Sequence, residues 1–162
     1  MAKLRAGIIG ATGMVGQRFI TLVEDHPYFE ITALAASPSS AGKKYGDAVK
    51  GRWMMKTPLS DKIANMTVLN AEDIASVKEQ VDFVFCAVNL SKDATREMEE
   101  AYAKAEIPVV SNNSAHRGTA DVPMLIPEIN FAHTAVIESQ KKRLGTKKGF
   151  ISVKPNCSIQ SY

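Results

Sequence analysis

The sequence predicts an α/β fold built on a doubly wound parallel β-sheet. Short apolar runs alternate with amphipathic segments along the chain, as strands alternate with helices in such folds. Most connections between these segments are short, and the chain contains no internal repeat. A glycine-rich segment follows the first apolar run, which is where such folds place a tight turn into the first helix.

The elements of the first half follow from their apolar spacing. Residues 4–9 are an apolar run that ends in glycine, which indicates a buried strand. Residues 14–24 carry apolar side chains at helical spacing and predict the first helix, and residues 31–36 predict the second strand. Residues 37–65 show little periodicity and contain three glycines and two prolines, so we expect a long loop there.

The second half continues this alternation. The remaining predicted strands are short apolar runs at residues 67–69, 81–88, 107–111, 122–126 and 150–153. The remaining predicted helices lie at residues 71–79, 92–106 and 131–142. Ser91 is the predicted N-cap of the second of these helices, and Pro155 follows the last strand.

The composition excludes several classes of protein. The chain has 162 residues, 45% hydrophobic and 23% charged, enough for one domain with its own core. A net charge of +3 argues against a nucleic-acid surface, and the longest apolar run is too short for a membrane span. The two cysteines and three histidines show neither a disulfide framework nor metal-ligand spacing, and the N-terminus leads directly into a strand. We therefore expect a cytoplasmic protein without metal, membrane or nucleic-acid partners.

The glycine turn Gly10-x-x-Gly13-x-x-Gly16 lies between a strand and a helix, the context in which such turns bind a pyrophosphate. Gly10 permits the tight turn, Gly13 lets the backbone approach the phosphates, and Gly16 permits close packing of the helix on the strand. The helix N-terminus presents free N–H groups to the anion. The turn therefore predicts a dinucleotide site in a Rossmann-like fold, contacted by Gly10, Thr12, Gly13, Met14 and Val15.

The segment after the second strand indicates which dinucleotide binds. Domains that bind NAD usually place an Asp or Glu there, to hold the ribose 2′-hydroxyl. This chain has no acidic residue there and offers hydroxyls and a lysine, which suit a 2′-phosphate. We therefore predict NADP as the cofactor, and a polar surface loop is the alternative. The predicted ligands of the 2′-phosphate are Ser37, Ser39, Ser40 and Lys43.

Cys157 follows the last strand and lies at the predicted start of a helix near Ser158. A thiol at a helix N-terminus is activated as a nucleophile, and the same N–H groups can stabilise an oxyanion. Asn156 adds a side-chain donor at this place. From spacing alone, a small buried side chain is the alternative for Cys157. Cys86 lies within an apolar strand and is predicted to be part of the core.

Several motifs occur in order along nearly the whole chain. They are GATGMVGQR (residues 10–18), SPSSAGK (37–43), VSNNSAHR (110–117), VP (122–123), PEIN (127–130) and PNCS (155–158). With these motifs the chain resembles the N-terminal half of aspartate-semialdehyde dehydrogenase of the archaeal and fungal type. Each motif alone has little specificity, whereas the ordered set is specific.

The resemblance implies a reaction. Members of the family reduce L-4-aspartyl phosphate with NADPH to L-aspartate 4-semialdehyde, reversibly and through a cysteine thioester, in the biosynthesis of lysine, threonine and methionine. The implied roles are nucleophile for Cys157 and phosphate ligand for Arg117. Asn112 or Asn113 is expected to contact phosphate or nicotinamide, and Asn89 the nicotinamide. His116 is expected to be a structural neighbour of Arg117, because the acid–base histidine of the family lies in a later domain.

The resemblance also implies a domain organisation. Residues 1–153 are expected to form an NADP-binding domain, and residues 154–162 to begin a catalytic domain whose remainder this chain lacks. The full-length protein is expected to bind aspartyl phosphate or aspartate semialdehyde and inorganic phosphate, and to be a homo-oligomer. The chain alone is expected to bind NADP with negligible turnover.

Two alternatives to this function stay open. A malonyl-coenzyme A reductase shares the same half-chain design and also forms a thioester. A non-catalytic NADP-sensing module of the short-chain-dehydrogenase kind would not need Cys157. Active short-chain dehydrogenases use Tyr-x-x-x-Lys, which is absent here. The tyrosines Tyr28, Tyr45 and Tyr102 are followed four residues later by Thr32, Val49 and Glu106.

Overall fold

The computed structural model describes residues 2–159, which form two compact units that divide between Asn89 and Leu90. The strands of the first unit are β1 (Leu4–Ile9), β2 (Phe29–Ala36), β3 (Val68–Asn70) and β4 (Phe83–Cys86). Its helices are α1 (Met14–Val23), α2 (Tyr45–Ala48), α3 (Asp61–Ala64) and α4 (Ile74–Lys78). Among residues 2–159, every helix is too short or too polar to cross a membrane.

The four strands of the first unit are parallel and lie in the order β3-β2-β1-β4. The chain progresses outward from β1 to β3 and then returns to place β4 on the opposite side of β1. Ile9 therefore pairs with Ala35 on one side and with Cys86 on the other. Such a reversal opens a crevice at the carboxyl ends of the strands, where ligands bind in doubly wound sheets.

Apolar side chains of the first unit's strands pack against one face of α1. Ile20 on α1 is fully buried among Ile8 of β1 and Leu34 of β2. The ring of Phe19 stacks on that of Phe85, with 4.7 Å between their centroids. This packing fixes the start of α1 against the end of β1, and so it fixes the turn that joins them.

The second unit consists of two parallel strands with helices. The strands are β5 (Val109–Ser111) and β6 (Ile151–Val153), and the helices are α5 (Lys92–Lys104), α6 (Pro127–Asn130) and α7 (Ile137–Leu144). A 3₁₀ helix over Phe131–Val136 joins α6 to α7. In the strand register Ser111 pairs with Val153. The Ser91 hydroxyl caps α5 by accepting a hydrogen bond from the Ala94 N–H at 3.2 Å.

Most predicted elements are confirmed, and three predictions need correction. The expected loop over residues 37–65 contains the single-turn helices α2 and α3. The expected strand over residues 122–126 forms only an isolated bridge between Met124 and Val153, because Pro123 and Pro127 have no N–H to extend a ladder. The predicted helix over residues 131–142 is a 3₁₀ helix in its first half and α7 in its second.

Candidate functional site

In the turn between β1 and α1, backbone atoms approach one another so closely that two of the glycine positions have no room for a side chain. Gly10 has φ +85°, and a Cβ there would lie 2.5 Å from the Ala87 carbonyl oxygen. A Cβ on Gly16 would lie 2.3 Å from the Gly10 oxygen. Gly13 differs, because the nearest atom to a Cβ there is the Gly10 oxygen at 3.5 Å. Gly10 and Gly16 are therefore required by the fold, whereas the space above Gly13 is open.

This open space lies at the N-terminus of α1. Gly13 is the N-cap residue and has extended backbone angles, and no side chain caps the helix. Met14 and Val15, which begin the helix, are exposed, and Thr12 is half-buried. The first N–H groups of a helix without a side-chain cap can bind an anion, and the helix dipole favours this. The structure thus brings the predicted pyrophosphate ligands together around an open helix N-terminus.

Two buried side chains that the sequence analysis did not identify hold this turn. The Gln17 amide donates to the carbonyl oxygens of Thr12 at 3.1 Å and Arg52 at 2.9 Å. The Tyr45 hydroxyl donates to the Ala11 carbonyl oxygen at 2.7 Å. Burial raises the pKa of Tyr45, so the phenol stays protonated and remains a donor. Neither role was predicted: Gln17 was noted only as part of the motif at residues 10–18, and Tyr45 lies in a segment without periodicity.

The segment after β2 carries the predicted ligands of the 2′-phosphate. The hydroxyls of Ser37 and Ser39 lie 2.9 Å apart within one turn, which the Ser40 N–H closes by donating to the Ser37 carbonyl at 2.9 Å. Lys43 follows in the same turn, and its side chain is exposed. Lys44 is a poorer candidate, because its ammonium donates to the Asn65 carbonyl. The structure therefore brings the hydroxyls of Ser37 and Ser39 together and leaves Lys43 exposed in the same segment, whereas Ser40 is buried.

Asn89 follows β4 at the same edge of the sheet as the glycine turn. The Ala87 N–H donates to the Ile9 carbonyl at 2.9 Å, so the two strand ends are joined directly. Gly10 lies against the carbonyl of Ala87, and Ala87 precedes Asn89 by two residues. The structure therefore places the predicted nicotinamide contact beside the predicted pyrophosphate site. Cys86, just before, is buried as predicted.

In the second unit, the loop after β5 brings Asn112 and Arg117 together. The Arg117 guanidinium donates from Nη2 to the Asn112 carbonyl at 3.4 Å. It also donates from Nε to the Lys154 carbonyl at 3.2 Å, three residues before Cys157. Arg117 is half-buried, and these two bonds leave the N–H groups of Nη1 for a ligand.

The thiol of Cys157 is exposed and lies in a turn that follows β6. Its Sγ lies 3.4 Å from Asn156 Oδ1, which also accepts from the N–H and the hydroxyl of Ser158, both at 3.1 Å. Among residues 2–159, the Asn156 amide oxygen is thus occupied and its NH₂ group is not, so the donor role predicted for Asn156 stays a prediction. The helix expected near Ser158 is a turn as far as Ile159, and Gln160 lies outside the described residues.

Behind the loop after β5 lies a cluster of buried polar side chains that the sequence did not reveal. Glu99 of α5 accepts hydrogen bonds at Oε1 from Ser111 Oγ at 2.5 Å and Asn113 Nδ2 at 2.9 Å. His116 is also buried, and its Nδ1 lies 3.1 Å from Thr119 Oγ1. Its burial suits the structural role expected from the sequence. Within residues 2–159, no three His, Cys, Asp or Glu side chains are grouped so that they could hold a metal ion.

The parallel strand order of the first unit, the turn built on backbone atoms and the hydroxyl-lined segment after β2 define a dinucleotide-binding domain of the Rossmann type. The family described as semialdehyde dehydrogenase, NAD binding domain, matches residues 5–137. Since this match covers most of the chain, the chain belongs to that family.

Relatives share the sequence over nearly all of this chain. The aspartate-semialdehyde dehydrogenase of Aspergillus fumigatus is 42% identical over 157 residues, which cover 97% of this chain and 42% of that protein. The enzyme of the same name from Archaeoglobus fulgidus is 43% identical, over 96% of this chain and 43% of that protein. The malonyl CoA reductase (NADP) of Metallosphaera sedula is 38% identical, over 97% of this chain and 42% of that protein. The chain thus spans less than half the length of these relatives.

Solved structures confirm the fold class. The aspartate semialdehyde dehydrogenase of Candida albicans with NADP has a TM-score of 0.84 and 38% identity, over 97% of this chain and 44% of that chain. Aspartate semialdehyde dehydrogenase II of Vibrio cholerae, complexed with ASA, has a TM-score of 0.67 and 26% identity, over 97% of this chain and 43% of that chain.

Proposed function

We propose that this chain is the NADP-binding part of an aspartate-semialdehyde dehydrogenase. The reaction is the reversible reductive dephosphorylation of L-4-aspartyl phosphate to L-aspartate 4-semialdehyde, in the biosynthesis of lysine, threonine and methionine. Identities of 42% and 43% to two enzymes of this name support the proposal. The structural observation that supports it most directly is the hydrogen bond from Arg117 to the Lys154 carbonyl. This bond connects the proposed phosphate ligand to the segment that contains the exposed Cys157 thiol.

The residues of the first unit suit NADP. The open space above Gly13 and the N–H groups of α1 fit a pyrophosphate, and the contacts there are Gly10, Thr12, Gly13, Met14 and Val15. The hydroxyl-lined turn fits a 2′-phosphate, with Ser37, Ser39, Ser40 and Lys43 as its ligands. Asn89 orients the nicotinamide. When bound, NADPH supplies the hydride of the reductive direction, and the related Candida albicans enzyme was solved with NADP.

The residues of the second unit suit acyl transfer. The Cys157 thiolate adds to the acyl carbon of the aspartyl phosphate and forms the C–S bond of a tetrahedral adduct, whose collapse breaks the C–O bond and releases phosphate. Arg117, with Asn112, holds the departing phosphate, because a guanidinium matches phosphate in charge and geometry. The Asn156 NH₂ group donates to the oxyanion of the tetrahedral adduct. The resulting thioester is reduced to the aldehyde, which releases Cys157; in the opposite direction, inorganic phosphate cleaves the thioester.

We also propose that this chain is the N-terminal part of a longer protein with two domains. Residues 1–153 form the NADP-binding domain, and residues 154–162 begin a catalytic domain. The chain covers 42% and 43% of two relatives, which supports its place in a longer protein. The full-length protein is a cytoplasmic homo-oligomer, and the 162-residue chain alone binds NADP without sustained turnover.

The decisive experiment follows NADPH formation from L-aspartate 4-semialdehyde by the full-length protein that carries this segment, with and without inorganic phosphate. We expect formation that requires phosphate and is lost in Cys157→Ser. Cys86→Ala serves as the matched thiol control and keeps the activity, because Cys86 is buried. Activity that persists in Cys157→Ser would contradict the thioester route.

The malonyl-CoA reductase is the second candidate, because the Metallosphaera sedula relative is 38% identical over nearly the whole chain. The same protein preparation distinguishes the two functions. Oxidation of NADPH with malonyl-CoA, and no reaction with aspartate 4-semialdehyde and phosphate, would assign the chain to the coenzyme A-dependent enzyme. NADPH binding without either reaction, unchanged in Cys157→Ser, would instead indicate a sensing module.

A further inference from the structure

The loop after β5 is held by one face of α5. Arg96 and Glu99 are three residues apart and therefore lie on the same side of this helix. Arg96 Nε donates to the Ala115 carbonyl at 2.9 Å. Glu99 Oε1 accepts from the side chains of Ser111 and Asn113. The helix thus holds the loop at its start and near its end, just before Arg117.

Glu99 is unusual because its carboxylate is fully buried without a lysine or arginine partner among residues 2–159. Within the described part of the chain, its second oxygen, Oε2, makes no hydrogen bond, and neither does Nε2 of the buried His116. These two atoms face each other at 4.0 Å. A proton on Nε2 makes them complementary, with the imidazole as donor and the carboxylate as acceptor. Burying a carboxylate is costly unless hydrogen bonds compensate for the lost water, and here the compensating donors are Ser111 and Asn113 of the loop.

The connections of Glu99 converge on the predicted phosphate ligand. One carboxylate oxygen holds Ser111 and Asn113, on either side of Asn112, whose carbonyl accepts from Arg117. The other oxygen faces the ring of His116, the residue directly before Arg117. The Glu99 side chain therefore contacts the loop on both sides of Asn112, whose carbonyl accepts the hydrogen bond from Arg117, and also contacts the residue directly before Arg117.

We propose that Glu99 is a positioning residue for phosphate: through Ser111, Asn113 and His116 it holds Arg117 in the orientation that binds the phosphate group of substrate or the attacking inorganic phosphate. This inference rests on the proposed function, because it takes Arg117 as the phosphate ligand. Glu99 itself does not contact the reacting atoms. A displaced guanidinium binds phosphate less well in the ground state and in the transition state alike, so a higher KM for phosphate with little change in kcat is the expected signature.

The test is Glu99→Gln in the full-length protein, with steady-state kinetics of NADPH formation at varied phosphate. The substitution keeps the shape of the side chain but removes its charge. We expect the KM for phosphate to rise about tenfold, whereas kcat and the KM for aspartate 4-semialdehyde change less than about twofold. Glu97→Gln is the matched control, since Glu97 is exposed on the same helix. If Glu99→Gln fails to fold, Ser111→Ala, which removes the hydroxyl that donates to Glu99, is measured in the same way.

A double-mutant cycle separates this inference from the proposed function. If Glu99 acts through Arg117, Glu99→Gln has no further effect on the KM for phosphate in an Arg117→Lys background. If the two substitutions raise the KM for phosphate independently, so that their factors multiply in the double variant, the positioning role is wrong. An unchanged KM for phosphate in Glu99→Gln would also overturn that role, and in both cases Arg117 remains the phosphate ligand. If Arg117→Lys itself leaves the KM for phosphate unchanged, the failure lies in the proposed function.

Discussion

The glycine turn after β1 and the loop after β5 each follow a parallel strand, and each is proposed to bind a phosphate group. The first is shaped by the close approach of backbone atoms, and Gln17 and Tyr45 support it from outside: the Gly10 N–H donates to the Ala35 carbonyl at 2.8 Å, and the Gly13 N–H donates to the Gly10 carbonyl at 3.1 Å. The second is held by side chains that reach it from α5, among them the buried Glu99.

This difference determines which substitutions each region tolerates. The glycine turn has no room for side chains at two positions, so added volume disrupts it whatever the charge. The loop after β5 depends on donors, acceptors and charge, so a substitution that keeps the shape and removes the charge disrupts it. The proposed Glu99→Gln test examines the sensitivity of the loop after β5 to charge. Gly16→Ala examines the sensitivity of the glycine turn to added volume, and Gly13→Ala examines the space proposed for the pyrophosphate.

The largest effect is expected for Gly16→Ala. Its Cβ would lie 2.3 Å from the Gly10 carbonyl oxygen and 2.7 Å from the Ala11 Cα, which are backbone atoms that cannot move aside without displacing the turn. We expect a loss of about 3 kcal/mol in the free energy of unfolding, a large fraction of the stability of a typical domain. Urea denaturation measures this loss.

Gly118→Ala is the matched control for Gly16→Ala. No atom lies within 4 Å of a Cβ built on Gly118, and its φ is outside the left-handed region. Its free energy of unfolding should stay within about 0.5 kcal/mol of the original protein. Equal stability of the two variants would show that the backbone at the glycine turn adjusts to a side chain.

A smaller and more specific effect is expected for Gly13→Ala. The nearest atom to the new Cβ is 3.5 Å away, an ordinary contact, and φ at Gly13 is −78°, which alanine adopts readily. The fold should therefore be unchanged, whereas the Kd for NADPH should rise at least about tenfold, because the methyl group occupies the space proposed for the pyrophosphate. Fluorescence titration with NADPH and thermal denaturation measure the two quantities. Unchanged NADPH affinity would place the pyrophosphate elsewhere.

The contrast between the two regions also explains what could be predicted from the sequence. The glycine turn was predicted in detail because backbone approach requires glycine, and glycine at fixed spacing is visible in a sequence. The strand before it has the predicted bounds, Leu4–Ile9. Ser91 was likewise predicted correctly as an N-cap, since its role depends on neighbours in the chain.

The supports of both regions could not be predicted, because they depend on residues distant in sequence. Tyr45 contacts Ala11 from a segment without periodicity, and nothing in its neighbourhood indicates that partner. Glu99 looks like one more acidic residue of a charged amphipathic helix, next to Glu97 and Glu100. Only the pairing of α5 with the loop after β5 shows that Glu99 is buried and holds Ser111.

The smallest effect is expected where charges are exposed, at the ion pair of Arg143 with Asp121. The Arg143 guanidinium donates to both Asp121 oxygens, at 2.6 and 3.0 Å, and these hydrogen bonds lower the pKa of Asp121. The Arg143 side chain is 40% exposed and that of Asp121 17%, so solvent screens the pair in part. Arg143 also donates to Glu100 at 2.9 Å, and Arg143→Gln, which removes both contacts, should cost about 1 kcal/mol at neutral pH.

The dependence of this effect on pH follows from the sign of the shift. Because the pKa of Asp121 is lower in the folded chain than in the unfolded chain, the stabilisation is complete above about pH 4 and is lost as the pH falls through the folded value. Urea denaturation at pH 7 and pH 3 should therefore show a difference between the original protein and Arg143→Gln at pH 7 that shrinks at pH 3. Lys142→Gln, an exposed neighbour on α7, should show no such change. A cost at pH 7 as large as that of Gly16→Ala would mean that exposed charge stabilises the second unit as strongly as backbone packing stabilises the first.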